Sequence, residues 1–373
     1  MLINRGRRIA ALAGLAAVTL LVAACSPEAD GGSPEDEAAN QTYVIKYSTQ
    51  HTEDTPYSRA TQEWAELVEE RTDGRVTVEI FYSGALLDAA ESLPGIADGR
   101  AEAGFIVDSM FQEALPLSTA SSIPFDRPNG VAQALAFHEL YETNDDFRAQ
   151  WERAGVHILH FQPPAPAAIG SNEPIDSYTD LAGTKTRCIG YICDALQIIG
   201  ANPVAIASNE IYEAMERGTI DAWTAYPFQD MLANQFQEVT NYVVDPGIGA
   251  YIQGATPINL DFWDALPEDI QTTLTDLSSE YYDIYIEHAA QLERETCAAT
   301  TEAGVELSSF SESESNRWRD AVRDSIFASW SEQVSGTGVD AAAFYDEFLD
   351  AYSAAELETD YESLFGACAA GEI

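Results

Sequence analysis

Arg187, in the stretch TKTRCIG, carries the side chain best suited to chemistry in this sequence. A guanidinium can hold a carboxylate through two parallel hydrogen bonds, which fixes orientation as well as charge. The competing reading is a structural salt bridge, easily supplied in a chain with 62 Asp and Glu against 18 Lys and Arg. Trp223 and Tyr226, in WTAYP, offer an apolar wall and a phenolic donor, or plain core packing. His51 can hydrogen-bond a ligand or cap a surface turn, and Asn259 brings an amide to the PINLDF segment. His157 and His160 alternate with apolar residues and read as ordinary strand residues. Enzyme signatures are missing: there is no HExxH, no GxSxG elbow, no GxxxxGK followed by Ser or Thr, and no paired CxxC. The glycines of GIGAYIQG lack dinucleotide-fingerprint spacing, and acids are too numerous for any pair to mark acid–base catalysis. No metal site and no cofactor is expected, and no reaction.

The elements that must position Arg187 lie between Asp180 and Asp230. Lys185 to Ile189 is a short β-prone run. Ile192, Leu196 and Ile199 follow at helical spacing, and Gly200 stands where a glycine ends a helix. Pro203 to Ala207 is a second apolar run. Ser208 can cap the next helix, Glu210 and Glu213 suit its positive end, and Gly218 closes it. Thr219 to Ala225 is a third strand. Such alternation predicts a parallel sheet with ligands beyond the carboxyl ends of its strands, where Arg187, Trp223 and Tyr226 fall.

The segments LAGTKTRCIG and IIGANPVAIASNEIYEAMERGTIDA, with Pro227 after them, resemble the solute-binding proteins of TRAP (tripartite ATP-independent periplasmic) transporters, the C4-dicarboxylate-binding-protein-like family. HTEDTPYSRATQEWAELVEERTDGRVTVEIF and FWDALPEDIQ extend the resemblance over nearly all of the chain after residue 41. It implies an α/β, two-lobed periplasmic-binding-protein-like fold (type II-like) with a long helix spanning both lobes. It also implies that Arg187 holds the carboxylate of an organic acid in an interlobe cleft, faced by His51 and lined by Asn259. The expected partners are that acid and the membrane permease subunits. Two departures stand out. The second arginine of the family's pattern falls at or near Ala168, and the family's Q-E-N-P segment is replaced by Trp223 to Pro227 with one residue more. One arginine with added aromatics points to a monocarboxylate. Arg127 is a further cation for which the family has no consistent role. A ligand sensor feeding a signalling partner, and a secreted hydrolase or redox protein using Cys188 and Cys193, are the other readings.

The expected organisation is a lipoprotein signal at 1–24 and an acidic tether at 25–41. Lobe 1 spans 42–162, completed by part of 253–300, and lobe 2 spans 163–252, completed by part of the C-terminal helices. A long helix at 267–303 and a helical region at 304–373 follow. The signal reading rests on Arg5, Arg7 and Arg8 before an apolar run that is short for a membrane span. Val22-Ala23-Ala24-Cys25 fits a lipobox, which would lipidate Cys25 and tether the protein outside the cytoplasm, in the periplasm or on the outer face of the membrane. Removing residues 1–24 leaves 15 basic against 62 acidic residues, a formal charge of −47. Such a chain does not bind nucleic acid by charge. Cys188, Cys193, Cys297 and Cys368 are an even number in an exported chain, and Cys188–Cys193 with Cys297–Cys368 is the preferred pairing of three.

Overall fold

The computed structural model describes residues 41–373, so the signal, Cys25 and the tether expected before Gln41 lie outside the described residues. The strands are β1 (Tyr43–Ser48), β2 (Val76–Phe81), β3 (Ala103–Gly104), β4 (Ile106–Val107), β5 (Val156–Gln162), β6 (Ala167–Ser171), β7 (Lys185–Cys188), β8 (Asn202–Ala205), β9 (Ala222–Pro227), β10 (Tyr242–Asp245), β11 (Gly254–Asn259) and β12 (Glu306–Ser309). They build two six-stranded sheets, one per lobe. The first runs β2-β1-β3-β11-β4 with β5 on β11, and the second runs β12-β10-β6-β9-β7-β8.

In the first sheet β1, β2 and β3 are parallel, while β11 is antiparallel to β3, β4 and β5. The second sheet departs from the all-parallel expectation. β8, β7 and β9 are parallel, as their strand–helix alternation requires, but β6 runs antiparallel to both β9 and β10. β6 enters directly from the other lobe instead of through a crossover helix, so nothing forces it parallel.

The helices are α1 (Pro56–Arg71), α2 (Ser92–Ala97), α3 (Gly130–Thr143), α4 (Asp145–Arg153), α5 (Tyr191–Ile198), α6 (Ile211–Glu216), α7 (Leu260–Ala265), α8 (Glu268–Ala303), α9 (Glu312–Ser335), α10 (Ala341–Glu356) and α11 (Phe365–Ala369). In α1, Thr55 accepts the Ser58 N–H, Pro56 occupies the first turn, and Ala60, Trp64 and Val68 turn one face into the core. Ser208 does not cap a helix as expected. It opens a 3₁₀ turn before α6, and the Glu210 carboxylate accepts the Ala207 N–H instead.

The lobes are joined at three places. Pro163 to Pro166 carries the chain from β5 to β6, and the return from β10 to β11 lies alongside it, with Ala167 N–H donating to Gly249 O at 3.0 Å. Gly249 has φ +80°, and a Cβ there would stand 2.5 Å from the Arg127 carbonyl, so only glycine fits this crossing. The third connection is α8, whose 36 residues span about 54 Å. Its Tyr281 stacks on His160 of the first lobe at 3.9 Å, while Tyr285 receives a hydrogen bond from Gln229 of the second. His157 is satisfied by Tyr141 at 3.1 Å, as a strand histidine should be. His160 is different: neither ring nitrogen has a partner, and burial holds its pKa down at about 3, so it is a neutral core ring.

Candidate functional site

β7 presents Arg187, and the turn after it is clamped. Cys188 and Cys193 form a disulfide across that turn, and the Tyr251 hydroxyl donates to Ile189 O and accepts from Ile192 N–H, each at 2.8 Å. Gly190 between them has φ +60°, and a Cβ would meet the Tyr251 oxygen at 2.9 Å. The second disulfide joins Cys297 of α8 to Cys368 of α11.

Arg187 is 3% exposed, yet it belongs to no ion pair among the described residues. Its Nε donates to Ile206 O at 3.1 Å, and its Nη1 donates to Thr224 O and Ala225 O at 3.0 and 3.1 Å. Two successive carbonyls converge on one nitrogen because β9 is bulged. Ala225 has φ +55°, and the β6–β9 register shifts between Ala168 and Gly170. The residue added before Pro227 is thereby absorbed. Nη2 makes no hydrogen bond among the described residues. Burial lowers the pKa of Arg187 from 12.5 to about 10, with Tyr226 and Tyr251 acting the other way. The group therefore stays cationic at neutral pH, at a cost of about 3 kcal/mol for its uncompensated burial.

The other buried arginine is complete without a ligand. Arg127 donates to Gln133 Oε1 at 2.8 Å, to the Tyr345 hydroxyl at 3.0 Å, and to the carbonyls of Ser121 and Ile123, with its plane over Phe348. It is a core cation and offers nothing to a cleft.

The remaining candidates separate. Tyr226 accepts a hydrogen bond from Asn234 Nδ2 at 2.6 Å, and the neighbouring Arg187 charge acts on its hydroxyl. Trp223 does not line the site as expected. It stands abreast of Arg187 in the sheet, but its indole is fully buried against Gly170 and donates to Thr240 Oγ1 at 3.0 Å. Asn259 is also corrected. It pairs with Val156 at the end of β11 remote from the crossing, where Gly254 pairs with Gln162. Its amide caps α7 and donates to Ile96 O and Ala97 O, so no N–H is left for a ligand. His51 stacks on Tyr57 at 4.8 Å and leans on Phe105 at 4.4 Å. Its Nε2 is unpartnered, and burial takes its pKa down to about 4, leaving the ring neutral. Tyr57 in turn packs on Tyr285 of α8, 5.3 Å away.

Sequence reasoning missed Asp230, in the 3₁₀ turn that follows β9. It is 3% exposed, its Oδ1 has no partner, and burial raises its pKa from 3.8 to about 7. Its charge helps to raise the pKa of the hydroxyls of Tyr57, Tyr226, Tyr285 and Tyr361, in each case after burial as the main cause. Nothing in the sequence distinguishes it from the other acids.

A groove of about 540 Å³ between α3 and α10 is a poor anion site, being rimmed by Glu139, Glu347, Asp350 and Glu358 with His138 as its one basic group. Among the described residues there is no group of three or more His, Cys, Asp or Glu placed to hold a metal ion, and no helix long and apolar enough to cross a membrane.

Comparison with known proteins bears on the whole arrangement. The family described as "Bacterial extracellular solute-binding protein, family 7" matches residues 47–333. The C4-dicarboxylate-binding periplasmic protein DctP of Rhodobacter capsulatus is 26% identical over 272 residues, 72% of this chain and 80% of that protein. The 2,3-diketo-L-gulonate-binding periplasmic protein YiaO of Escherichia coli K12 is 25% identical over 292 residues, 76% of this chain and 87% of that one. Among solved structures, a marine metagenome TRAP solute binding protein specific for aromatic acid ligands superposes with a TM-score of 0.76 at 20% identity, over 85% of this chain and 99% of its own. A Bordetella pertussis extracytoplasmic solute receptor binding pyroglutamic acid gives 0.70 at 19%, over 84% and 100%. The fold is the one these receptors share.

Proposed function

The chain belongs to family 7 of the bacterial extracellular solute-binding proteins, and from that membership we propose that Arg187 anchors the carboxylate of a small organic acid captured between the lobes. The protein is an extracytoplasmic receptor of the TRAP type. The observation that carries the assignment of Arg187 is its bare Nη2 on a buried guanidinium without a counterion, in a chain with acids to spare. A ligand carboxylate supplies the missing charge and acceptors in a water-poor site, where such a pair is strong. Relatives named for a C4-dicarboxylate and for 2,3-diketo-L-gulonate have ligands that carry a carboxylate, which supports the reading. Tyr226 and His51 form the walls beside it, His51 as a neutral ring.

Within this reading the receptor hands its acid to TRAP permease subunits, catalyses nothing, and is tethered to the membrane through lipid on Cys25. Closure of the lobes about the crossings at 163–166 and 246–253 encloses the acid and presents one surface to the permease. Micromolar capture needs about 8 kcal/mol, within reach of one desolvated Arg–carboxylate pair with several hydrogen bonds.

The test is ligand-induced thermal stabilisation of the purified full chain, screened against mono-, di-, keto- and aromatic acids. An acid at a hundred times its dissociation constant adds about 2.7 kcal/mol of stability. Arg187→Ala should weaken the hit by at least roughly a hundredfold, the loss of a buried charge partner. A hit indifferent to Arg187, or none among the acids, would refute the assignment.

A further inference from the structure

The groove between α3 and α10 is separate from the candidate site: Arg187, Tyr226 and His51 are not among its lining residues. The two helices run antiparallel. Asn129 N–H donates to the Tyr352 hydroxyl at one end, Asn144 Nδ2 donates to Glu347 Oε2 at the other, at 3.0 and 2.9 Å, and Phe137 stacks on Phe348 between them. With those aromatics holding the seam, the floor above it is made of small apolar side chains. Ala351, Ala354 and Ala355 line it at helical spacing from α10, and Leu135 lines it from α3. Glu347 to Ala355 extend along ~12 Å of α10 at 1.5 Å per residue, the length of about two turns of another helix. Just past α10, beside the lining residue Glu358, Leu357 is 90% exposed, the most of any large hydrophobic side chain among the described residues.

The rim selects what can lie on that floor. Glu139, Glu347, Asp350 and Glu358 line it, no lysine or arginine does, and among the described residues none of the four belongs to an ion pair. The chain itself is a poor source of the complement. Residues 26–40 carry Glu28, Asp30, Glu35, Asp36 and Glu37 without a base, and Arg5, Arg7 and Arg8 belong to the segment expected to be removed. A second copy brings a net charge of −44, and surface arginines such as Arg71 and Arg319 are already paired with Glu280 and Asp126. A small polycation would meet the acids but leave the apolar floor and Leu357 uncovered. A helix with an apolar stripe between basic flanks complements the floor and the rim together.

We propose that the α3–α10 groove docks a cationic amphipathic helix of a partner protein, its apolar stripe on Leu135, Ala351, Ala354 and Ala355 and its lysines or arginines on the rim acids. Leu357 caps the apolar contact at one end. The inference does not depend on which acid the receptor captures, because the groove and the cleft share no residue.

The experiment measures binding of fluorescent synthetic helices to the full chain by anisotropy at physiological salt, where long-range attraction is screened. The probes carry a Leu/Ala stripe flanked by Lys or Arg, in several stripe registers. Each is set against a scrambled peptide of the same composition and a twin with Glu in place of its bases. At least one probe should bind ten or more times tighter than its scrambled form, and its acidic twin should not bind. Glu347→Lys with Asp350→Lys should weaken that probe at least tenfold, and Leu357→Ser should weaken it too. Glu70→Lys with Glu302→Lys makes the same charge change away from the groove and should leave it nearly unchanged. All five exchanged side chains are exposed, and the scrambled comparison on the unaltered chain decides the matter should a variant fail to fold. Equal binding of probe and scrambled peptide, or equal weakening by the two double reversals, would reduce the effect to general attraction by an acidic chain and overturn the proposal. Displacement of the probe by spermine at matching concentration would make the groove a small-polycation site and overturn it as well, as would the failure of every probe to bind.

Discussion

Asp230→Asn should stabilise the ligand-free protein, by an amount that grows as pH rises from about 4 to about 7 and is constant above. Burial moves that carboxyl from 3.8 to about 7, with no hydrogen bond to offset it. At about 1.36 kcal/mol per pH unit, the charged form is disfavoured by roughly 4 kcal/mol in the native state. Between pH ~4 and ~7 the native Asp230 holds a proton that its unfolded counterpart has released, so the contribution of this group to stability falls as pH rises through that window and is flat above it. The surrounding groups do not titrate there: Tyr57, Tyr226, Tyr285 and Tyr361 are all raised above 10, Arg187 sits at about 10, and His51 at about 4. Asparagine keeps the shape and removes the charge. Protein stripped of ligand by unfolding and refolding would be melted at pH 5, 6, 7 and 8, variant against wild type. The difference should be roughly 1–2 kcal/mol at pH 5 and grow to roughly 4 kcal/mol by pH 8. For a folded body of this size the full difference is about 6 °C, from an unfolding entropy of about 2.1 cal/mol/K per residue. A difference that does not change with pH, or a variant equally destabilised at pH 5 and pH 8, would refute the reasoning.

Trp223→Ala should cost about 3–5 kcal/mol in unfolding free energy, because its indole fills the second lobe's core against Gly170. The discriminating measurement is the ligand affinity of the folded fraction, which should change little beside that of Arg187→Ala. Replacing Cys297 and Cys368 with serine should cost about 4 kcal/mol, since that disulfide closes a loop with a sequence separation of 71, whereas the Cys188–Cys193 pair, separated by 5, should cost about 2 kcal/mol. Denaturant titrations of the two double variants would show whether the order is reversed.

The elements were legible where local signals were strong. Pro267 followed by 36 residues free of proline and glycine, then Gly304 at φ +76°, marks α8 at both ends. Arg187 was singled out by the resemblance of TKTRCIG to the family's first strand, since in so acidic a chain an arginine could as easily serve a structural salt bridge. What escaped depends on contacts between distant segments. Trp223 and Tyr226 both pack on Phe236, and that Trp223 is fully buried while Tyr226 is only partly so depends on those contacts with a distant segment. Asn259 was misplaced because strand direction was unknown: β11 returns antiparallel to β5, which puts its last residue far from the crossing. Asp230 differs from the other acids only in what surrounds it, and those tyrosines come from positions 57 to 361 of the chain.

The helix α8 also constrains how such a chain can evolve. Tyr281 presses on His160 in one lobe, while four residues later Tyr285 meets Gln229 of the other, and Thr296 donates to the Gln229 carbonyl at 3.1 Å. A substitution that shifts this helix moves both walls of the cleft together, so neither lobe can drift alone. Exchanging one lobe with a relative's would break half of these contacts unless α8 travelled with it and the other lobe were adjusted to match. The smallest portable unit is thus a lobe with the whole helix.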